Sequence, residues 1–456
     1  MTYTKTSWLA GEAGGTLVTS ARLNNLETQH DSAISEINAT LGMFASANGV
    51  VGDGVTDDSE ALNALLTAAA AAGVSVILDP LSIVLVQSTL LPPSGTRLNL
   101  NGATIKRGAT GSGVLINLID RSDISIRGGT LDGNKAAYPA ATEWRHNINL
   151  DNSKRIVLRD LYSNSSKGDG IYIGGTVTHC EDVDLFNVSC DGNYRQGLSI
   201  VGVDGFTAVS SRFVNTAGTA PQSGVDVEPN RGDQVCKNIR FTGCTFSGNA
   251  GHGFLVALQA SRTAVQGGIT LTGCTSDSNT TAGVRLTESE GVQIVGGGMS
   301  GNFQGLLHDT NTMANTKVIG VIFSKNSQHG VSVYGAYSDL TFSECTLDAN
   351  GQTTIGDGFN IAPSATSTSL RLIGNRSAGS PQRNGVTLGA NCSGVMMVGN
   401  EYAGNTTARS GTSVITLDLD AAGKRTISGS RGSNTALAST LTQLAGMGLI
   451  TDSTTA

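Results

Sequence analysis

The sequence has few charged side chains and few aromatic ones. Only 14% of its 456 residues are Asp, Glu, Lys or Arg, and only 5% are aromatic, whereas about 25% of residues are charged in average soluble proteins. Gly, with 60 residues, has nearly twice its usual share. The surface must therefore be covered by Ser, Thr, Asn and Gly, which suits an extracellular or virion particle better than a cytosolic enzyme.

Basic residues and long apolar runs are also lacking. The formal net charge is −7 and the pI is near 5.4, and no basic stripe is present to neutralise phosphates, which argues against nucleic acid as a partner. No apolar run reaches the roughly eighteen residues that a membrane-spanning helix needs. The first residues, Met1-Thr-Tyr-Thr-Lys5, lack the apolar core typical of a signal peptide.

The seven cysteines include no CxxC pair. An odd count without such pairs predicts neither a disulfide framework nor a zinc site. Cys244, Cys274 and Cys345 share one sequence frame and are predicted to form a stacked interior column of small apolar residues. Because no ordered cluster of acids suggests a calcium site, we expect no metal and no cofactor.

A short phrase recurs along the chain: a polar residue, then Gly, then two β-formers separated by one outward-facing residue. Its glycines are Gly170, Gly197, Gly224, Gly253, Gly283, Gly305, Gly330, Gly358 and Gly385. A period of 22 to 30 residues predicts a repeat architecture, and alternation with period two predicts strands rather than helices.

Each repeat contains two further strand-like runs, such as Ile239-Arg240-Phe241 and Cys244-Thr245-Phe246. Three short strands per turn, with no room for a helix, predict an all-β fold: a right-handed parallel β-helix of about 10–12 turns. Asn precedes the next Gly by four residues at Asn193, Asn249, Asn279 and Asn326. Asn tolerates the left-handed conformation, so we expect these residues to occupy left-handed corners where stacked amides bond one another.

The two ends of the chain depart from the repeat. A helix is predicted over residues 61–72, with Asp57 or Asp58 as N-cap, covering the open N-terminal end of the β-helix. A second helix over residues 25–41 carries a loose heptad-like stripe that favours pairing with copies of itself. Residues 436–450 form an amphipathic terminal element. We therefore expect an attachment and trimerisation segment (1–45), the β-helix (46–410) and a C-terminal cap and trimerisation tail (411–456).

Several motifs support a resemblance to known proteins. Gly-Asp-Gly-Val-Thr-Asp-Asp at 52–58, Leu-Asp-Pro at 78–80 and Gly-Gly-Thr-Leu-Asp-Gly at 128–133 closely resemble the pectate-lyase-like β-helix family. Trp8 with Leu-Asn-Asn-Leu-Glu at 23–27, and the tail over 444–454, resemble bacteriophage tail proteins. The resemblance implies a homotrimeric phage tailspike or tail fibre that binds, and often cleaves, a bacterial surface polysaccharide. It would be attached through its N-terminus to other tail or baseplate proteins and act outside the host cell.

The clearest candidate for catalysis is a pair of acids in one repeat. Asp226 and Glu228 alternate with Val225 and Val227, so both are expected to point outward from the same strand. Residues two apart on a strand are roughly 6.5–7 Å apart, and carboxyls at such a separation suit either retaining or inverting glycosidases. Their mutual repulsion would raise one pKa and create a proton donor. The alternative is a solvated or salt-bridged pair.

Neighbouring turns add further candidates on the same wall. Stacking at about 4.8 Å per turn places His252 one turn beyond Ser223 and Arg285 two turns beyond Asp226. Asp169 and Tyr172 lie on the other side, and Arg195 is a possible ion-pair partner. His252 is a candidate catalytic residue, but His329 shares its frame without a nearby acid, so a corner role is equally open. We expect Tyr172, Asp169, Arg195 and Arg285 to contact substrate.

An excursion from the repeat lies between residues 132 and 147. Such insertions tend to line the binding face of a solenoid. Tyr138 and Trp144 offer flat surfaces on which sugar rings could stack, and Arg145 could pair with an acidic sugar; packing of the loop itself is the alternative. Hydrolysis by the acid pair is preferred, with a polysaccharide lyase or a non-catalytic glycan-binding fibre as the other possibilities.

Overall fold

The computed structural model describes residues 20–111, 113–138, 144–257, 266–412, 415–419, 425–430, 432–447 and 450–455. As predicted, these residues form a right-handed parallel β-helix, with about 13 turns. The predicted attachment motif around Trp8 lies outside the described residues.

The repeated phrase forms one sheet, here called the front sheet. Its strands are Ile116–Ile119, Ile148–Asp151, Ile171–Gly174, Leu198–Ile200, Val225–Val227, Phe254–Ala257, Ala282–Glu290, Gln304–His308, Val331–Val333, Phe359–Ile361, Asn384–Leu388 and Thr407–Gly411.

Two further sets of strands complete the turns. The second set is Met43–Phe44, Ser75–Ile77, Arg97–Asn99, Ser122–Asp132, Lys154–Asn164, Cys180–Asp191, Val203–Val209, Cys236–Thr242, Gln266–Thr272, Gln293–Val295, Thr312–Ile319, Ala336–Ser343, Ser367–Ile373, Cys392–Ser393, Val395–Val398 and Ile415–Leu419. The third set is Asp53–Asp57, Ile83–Val86, Thr104–Arg107, Arg212–Val214, Thr275–Asp277, Gly298–Ser300, Ile322–Ser324, Thr346–Asp348 and Arg376–Ala378, and Arg425–Ser430 pairs with Ile450–Thr455 near the C-terminus.

The interior is filled by the inward residues of each strand. In the front sheet, Val225 and Val227 are fully buried, and so is Phe254 in the next turn. Phe241 and Phe246 both pack edge-on against Phe254, and their ring centroids lie 5.1 and 5.3 Å, respectively, from the centroid of Phe254. Period-two alternation thus gives one continuous apolar core, as the sequence pattern predicts.

Stacked asparagines line one corner, and the predicted bonding of their amides is confirmed. The Asn249 amide donates to Asn279 at 2.9 Å, Asn279 to Asn302 at 2.9 Å, and Asn326 to Asn350 at 2.8 Å. The backbone N–H groups of Asn249 and Asn279 also donate to the amide oxygens of the following turn. The ladder therefore satisfies corner backbone groups as well as its own side chains.

The predicted left-handed conformation of these asparagines is wrong by one position. Positive φ falls on the residue before each, at Gly192, Gly248, Ser278 and Lys325. The Asn side chain instead turns inward, and that of Asn279 donates to Phe246 O at 2.9 Å. The amide bonds, rather than a tolerance of positive φ, explain why Asn occupies this position.

The glycines of the phrase are required by close backbone packing, since their φ values are not positive. A Cβ at Gly253 would lie 2.6 Å from the carbonyl oxygen of Gly283 in the next turn, and one at Gly170 would lie 2.6 Å from that of Gly197. Any side chain there would push adjacent turns apart.

The described residues include three α-helices, as well as short 3₁₀ helices at Ser46–Asn48 and Lys135–Ala137. Helix α1 (Ser20–Leu41) and helix α2 (Ser59–Ala72) precede and cover the first turns, and helix α3 (Thr435–Gly446) lies near the C-terminus. Leu62 and Leu66 of α2 are fully buried in the core, as expected of a capping helix. Asp58 is the N-cap residue, but its carboxylate accepts hydrogen bonds from the N–H groups of Val51 and Gly52 instead of from the helix.

The seven cysteines are all reduced and buried. Cys244 and Cys274 stack in consecutive turns, because the N–H of Thr275 donates to the carbonyl of Cys244 at 2.9 Å. The predicted interior column of small apolar residues is therefore confirmed for this pair.

Candidate functional site

One outward-facing column runs along the front sheet. Strand register aligns Asn117, Asn149, Tyr172, Ser199, Asp226, Leu255, Arg285, Leu307, Ser332, Asn360, Thr387 and Ser410. This confirms the predicted alignment, including Arg285 two turns beyond Asp226. The column is the scaffold on which the candidate site is built.

Asp226 is on the outward side of its strand but is not solvated. Its side chain alternates with those of Val225 and Val227, yet it is only 2% exposed. The Gln196 amide of the preceding turn donates to Asp226 Oδ2 at 2.8 Å. In the described part of the chain no N–H or hydroxyl group donates to Oδ1. The alternative of two solvated acids is therefore wrong for Asp226.

Asp226 and Glu228 act on each other directly. Burial raises the pKa of Asp226 well above its usual value, and the nearby charge of Glu228 raises it further. A hydrogen bond with Glu228 raises the pKa too, and these causes together favour the protonated, neutral form of Asp226. That the pair supplies a proton donor stays a prediction.

The end of the strand bears on the expected geometry of the pair. Glycosidases that use two flanking carboxyls hold them about 5–5.5 Å apart when retaining and about 6.5–9.5 Å apart when inverting. Glu228 follows the end of the strand Val225–Val227, so its side chain need not keep the direction that alternation along the strand predicts. The use of the two acids as a flanking pair therefore stays a prediction.

Glu228 faces an open cleft of about 470 Å³ on the front side of the solenoid. The lining residues are Ala220, Pro221, Glu228, Leu255, Ala257, Arg285, Thr287, Thr310 and Asn311. Glu228 and Arg285 are the charged members of this lining. Asp226 lies behind Glu228, so Glu228 is the carboxyl that can reach a bound molecule.

Arg285 is fixed by two neighbours. Its Nε and Nη2 donate to the two carboxylate oxygens of Asp309 at 3.2 and 2.9 Å. Its Nη1 lies 3.3 Å from His252 Nε2. Asp309 had no signal in the sequence because it lies outside the repeated phrase, after the strand Gln304–His308.

His252 is neutral at neutral pH. Burial and the Arg285 guanidinium lower its pKa to about 4. The ring Nδ1 accepts a hydrogen bond from Ala282 N at 3.3 Å and lies 2.7 Å from Thr281 Oγ1. Because the backbone N–H and the guanidinium face opposite ring nitrogens, protonation of the ring is disfavoured.

The same backbone contact recurs at two other histidines. His146 Nδ1 accepts from Asp169 N, and His329 Nδ1 accepts from Asp357 N, both at 2.9 Å. Each histidine thus accepts from the N–H of the residue that opens the repeated phrase in the next turn, as His252 does from Ala282. This recurrence favours the corner role for His252 over catalysis.

Asp169 is buried and does not reach the cleft. Its Oδ2 accepts from Ser199 Oγ at 2.8 Å and from Arg195 Nη1 at 3.2 Å. Burial raises its pKa to about 6, against the lowering effect of Arg195. The structure thus joins Asp169 and Arg195 to each other, and the predicted contact of Asp169 with substrate is excluded by its burial.

An aromatic cluster lies beside this ion pair. The Tyr172 ring stacks on that of His146 with centroids 4.9 Å apart, and Trp144 packs edge-on against both rings. Trp144 remains 63% exposed, so the indole offers a flat surface to a ligand as predicted. Burial raises the pKa of Tyr172 to about 12, which keeps its hydroxyl neutral.

The other two loop residues anchor the loop. The Tyr138 side chain is buried and its hydroxyl donates to Gly108 O. The Arg145 guanidinium lies 4.1 Å from the centre of the Tyr138 ring and donates to Gly111 O at 2.6 Å. The predicted sugar-stacking surface at Tyr138 is therefore occupied by Arg145.

Gln196 is a site residue that the sequence pattern did not reveal. It occupies the polar position of the phrase, where it reads as one more corner residue. Its side-chain oxygen accepts from Ser223 N at 2.8 Å while its N–H₂ holds Asp226. Only the strand register places this amide beside the acid.

Among the described residues, no three His, Cys, Asp or Glu side chains are grouped so that they could hold a metal ion. None of the helices described is long and apolar enough to cross a membrane.

Comparison with known proteins supports the fold. Residues 112–297 match the family model of the right handed beta helix region. No curated protein sequence matches the chain.

Several solved structures are similar. The A-module of the Azotobacter vinelandii mannuronan C-5 epimerase AlgE4 is 17% identical with a TM-score of 0.56, covering 82% of this chain and 100% of the module. The Streptococcus pneumoniae surface protein and adhesin PfbA is 18% identical with a TM-score of 0.58, covering 81% and 99%. Pre-mature gene product 12 of bacteriophage phi29 is 16% identical with a TM-score of 0.56, covering 88% and 61%. At these identities the likeness shows a shared fold.

Proposed function

We propose that this chain is a phage tailspike that binds a bacterial surface polysaccharide and hydrolyses it. The observation that carries the proposal is the buried Asp226 carboxyl, whose pKa is raised by burial and by Glu228, beside a cleft of about 470 Å³ that Glu228 lines. The fold is compatible with such a role, since the similar structures include a mannuronan epimerase module and a bacteriophage protein.

The chemistry follows from the position of the pair. Glu228 faces the cleft and gives the shared proton to the glycosidic oxygen as the bond from that oxygen to the anomeric carbon breaks. The oxygen of a water molecule forms the new bond to that carbon, and the proton lost by the water returns the pair to its starting state. Asp226 acts behind Glu228 by holding the proton until it is transferred.

Binding would extend beyond the cleft along the front sheet. Trp144 presents an exposed ring near Tyr172, and the outward column continues through Ser199 and Leu255 to Arg285. Turns stacked about 4.8 Å apart give a surface along which a polysaccharide chain can lie. Because Arg285 is already paired with Asp309, we expect its role to be hydrogen bonding to sugar hydroxyls.

A non-catalytic glycan-binding fibre is the second candidate. It is favoured by the cleft lining, in which Glu228 is the only carboxyl among the described residues, whereas hydrolysis by two flanking acids needs a second one. A polysaccharide lyase is the third candidate; it would use the same carboxyl as a base.

The test compares Glu228→Gln and Asp226→Asn with wild type on a panel of purified capsular and O-antigen polysaccharides. If the protein is a hydrolase, wild type should release new reducing ends without the ultraviolet absorbance of unsaturated products. Both variants should release them at least 100-fold more slowly and should still bind the polysaccharide. Glu181→Gln is the matched control, since Glu181 pairs with Lys154 on another face. Unsaturated products would establish the lyase, and binding without any cleavage in wild type would establish the fibre.

The assembly is a further part of the proposal. We expect a homotrimer in which copies of α1 pair through the apolar stripe of the sequence, with the N-terminal segment bound to tail or baseplate proteins and the β-helix exposed outside the host cell. Sedimentation equilibrium on the full chain checks this, and a stable monomer at micromolar concentration would contradict it.

A further inference from the structure

Asp169 is held by two donors from the next turn of the front sheet. Ser199, which follows it by 30 residues, donates at 2.8 Å, and Arg195, which follows it by 26 residues, donates through Nη1 alone at 3.2 and 3.5 Å. The N–H of Asp169 donates to His146 in the preceding turn.

The same cluster is built a second time farther along the sheet. Asp357 accepts from Thr387, 30 residues later, at 3.0 Å, and from Arg383, 26 residues later. Its N–H donates to His329. The chain thus contains an internal copy against which the first cluster can be compared.

The two copies differ in how the arginine is used. Arg383 makes two parallel bonds to the two carboxylate oxygens of Asp357, at 2.9 and 2.8 Å. Arg195 makes only a single-nitrogen contact to Asp169, and it also acts electrostatically on Asp226. One guanidinium therefore serves two carboxyls in the first copy and one in the second.

The next turn explains the difference. In the first copy, Asp226 is in register with Ser199 on the next strand. In the second copy, Ser410 is in register with Thr387. An arginine that also faces a second buried carboxyl is less free to hold the first with a bidentate geometry. The single-nitrogen contact of Arg195 is thus tied to the presence of the acid pair.

We infer that Asp169 and Arg195 are positioning residues that set how firmly the Asp226–Glu228 pair holds its proton. This inference rests on the proposed function. The charged groups that act on Asp226 are Glu228, Asp169 and Arg195, and the remaining neighbours in its column and corner, Ser199, Gln196 and Leu255, are neutral. Asp169 and Asp226 share the charge of one guanidinium, and Glu228 adds a third negative charge beside Asp226, so the charge balance favours a proton on the cluster.

Substitutions at Asp169 and at Arg195 should shift the pH–activity profile in opposite directions. Asp169→Asn removes a negative charge and leaves Arg195 acting on the acid pair, so the pair loses its proton at lower pH. The alkaline limb of the pH–activity profile should then move down by about one pH unit or more. Arg195→Gln removes the positive charge, and the same limb should move up.

Asp357→Asn is the matched control, because it removes the same carboxyl from the same setting without an acid pair beside it. It should lower the melting temperature as Asp169→Asn does and leave the pH profile in place. The inference would be overturned if Asp169→Asn and Asp357→Asn gave the same pH–activity profile. It would also be overturned if Asp169→Asn and Arg195→Gln moved the profile in the same direction.

A readout without turnover separates this inference from the proposed hydrolysis. The melting temperature of each full-length variant is measured from pH 4 to 9, where loss of the proton from the buried pair lowers stability. If wild type cleaves no polysaccharide but Asp169→Asn still moves this transition to lower pH, the hydrolase fails and the positioning role stands. If the transition does not move, the positioning role fails whether or not the enzyme is active.

Discussion

The side-chain amide of Gln196 donates a 2.8 Å hydrogen bond across one turn to Asp226 Oδ2, while its oxygen accepts from Ser223 N. Both partners are buried. The amide therefore fixes the orientation of the Asp226 carboxyl. This single residue links the corner of the solenoid to the acid pair.

Gln196→Ala should lower both activity and stability. Loss of a buried hydrogen bond that leaves its partners unsatisfied costs about 1–3 kcal/mol, and a misplaced Asp226 should reduce kcat about tenfold. Gln304→Ala is the control, because Gln304 occupies the same position of the phrase but donates to Gln328. Equal losses of kcat in the two variants would contradict a specific role for Gln196.

Asp226→Asn should stabilise the protein at alkaline pH. The folded-state pKa of Asp226 is raised, so its stabilising contribution is complete below the unfolded value near 3.8 and is lost as pH rises through the folded value. The variant lacks that loss, and its melting temperature should exceed that of wild type at pH 8 by an amount that shrinks toward pH 4. Thermal melts across this range check the sign, and a lower melting temperature at pH 8 would contradict it.

Asn279→Ala should be among the most destabilising single changes at the corner. It removes bonds to Asn249, Asn302 and Phe246 O and leaves buried groups unsatisfied, at about 2–4 kcal/mol in total. Asn48→Ala is the control, since Asn48 is exposed and its amide donates to Phe44 O; it should change stability by less than about 1 kcal/mol. Denaturant melts of both variants give the comparison.

The sequence predicted the scaffold far better than the chemistry. The period of the phrase predicts the register of a solenoid, because each turn must place its apolar residues above those of the last, and so Asp226 and Arg285 fall in the predicted column. Asp226 and Glu228 stood out because the other repeats have no second acid in that phrase. What the pattern could not give was the burial of Asp226, which depends on side chains from adjacent turns.

Alternation along a strand predicts on which side of the strand a side chain lies, but it does not predict how far that side chain is from its neighbours. It placed Asp226 and Glu228 on one side of the strand, but Glu228 lies beyond the end of the strand at Val227, where the alternation no longer applies. Likewise the loop residues Tyr138 and Trp144 look alike in sequence, and only packing distinguishes the buried anchor from the exposed ring. Such differences arise from tertiary contacts between turns, which a repeat in sequence does not encode.

Trp144→Ala should weaken polysaccharide binding with little effect on folding. The indole is 63% exposed, and loss of one sugar-stacking surface should raise Kd about tenfold, which corresponds to about 1.4 kcal/mol. Leu81→Ala removes a side chain that is 87% exposed on an early turn, and it should leave Kd unchanged. Affinity electrophoresis in gels containing the cleaved or bound polysaccharide measures both, and equal migration of the two variants would exclude a role for Trp144.

His252→Asn separates the corner role of this histidine from a catalytic one. The Asn oxygen can accept from Ala282 N as the ring Nδ1 does, so the fold should be retained, whereas no titratable group remains. Because the pKa of His252 is lowered to about 4, the ring is neutral above pH 5, and its removal should leave the shape of the pH–activity profile unchanged there. A lost acidic limb, or a fall in kcat of more than about 100-fold, would instead indicate that His252 transfers a proton. His252→Ala provides the comparison for stability: the unsatisfied N–H should cost about 1 kcal/mol or more, and His329→Ala should cost a similar amount because Asp357 N loses the same bond.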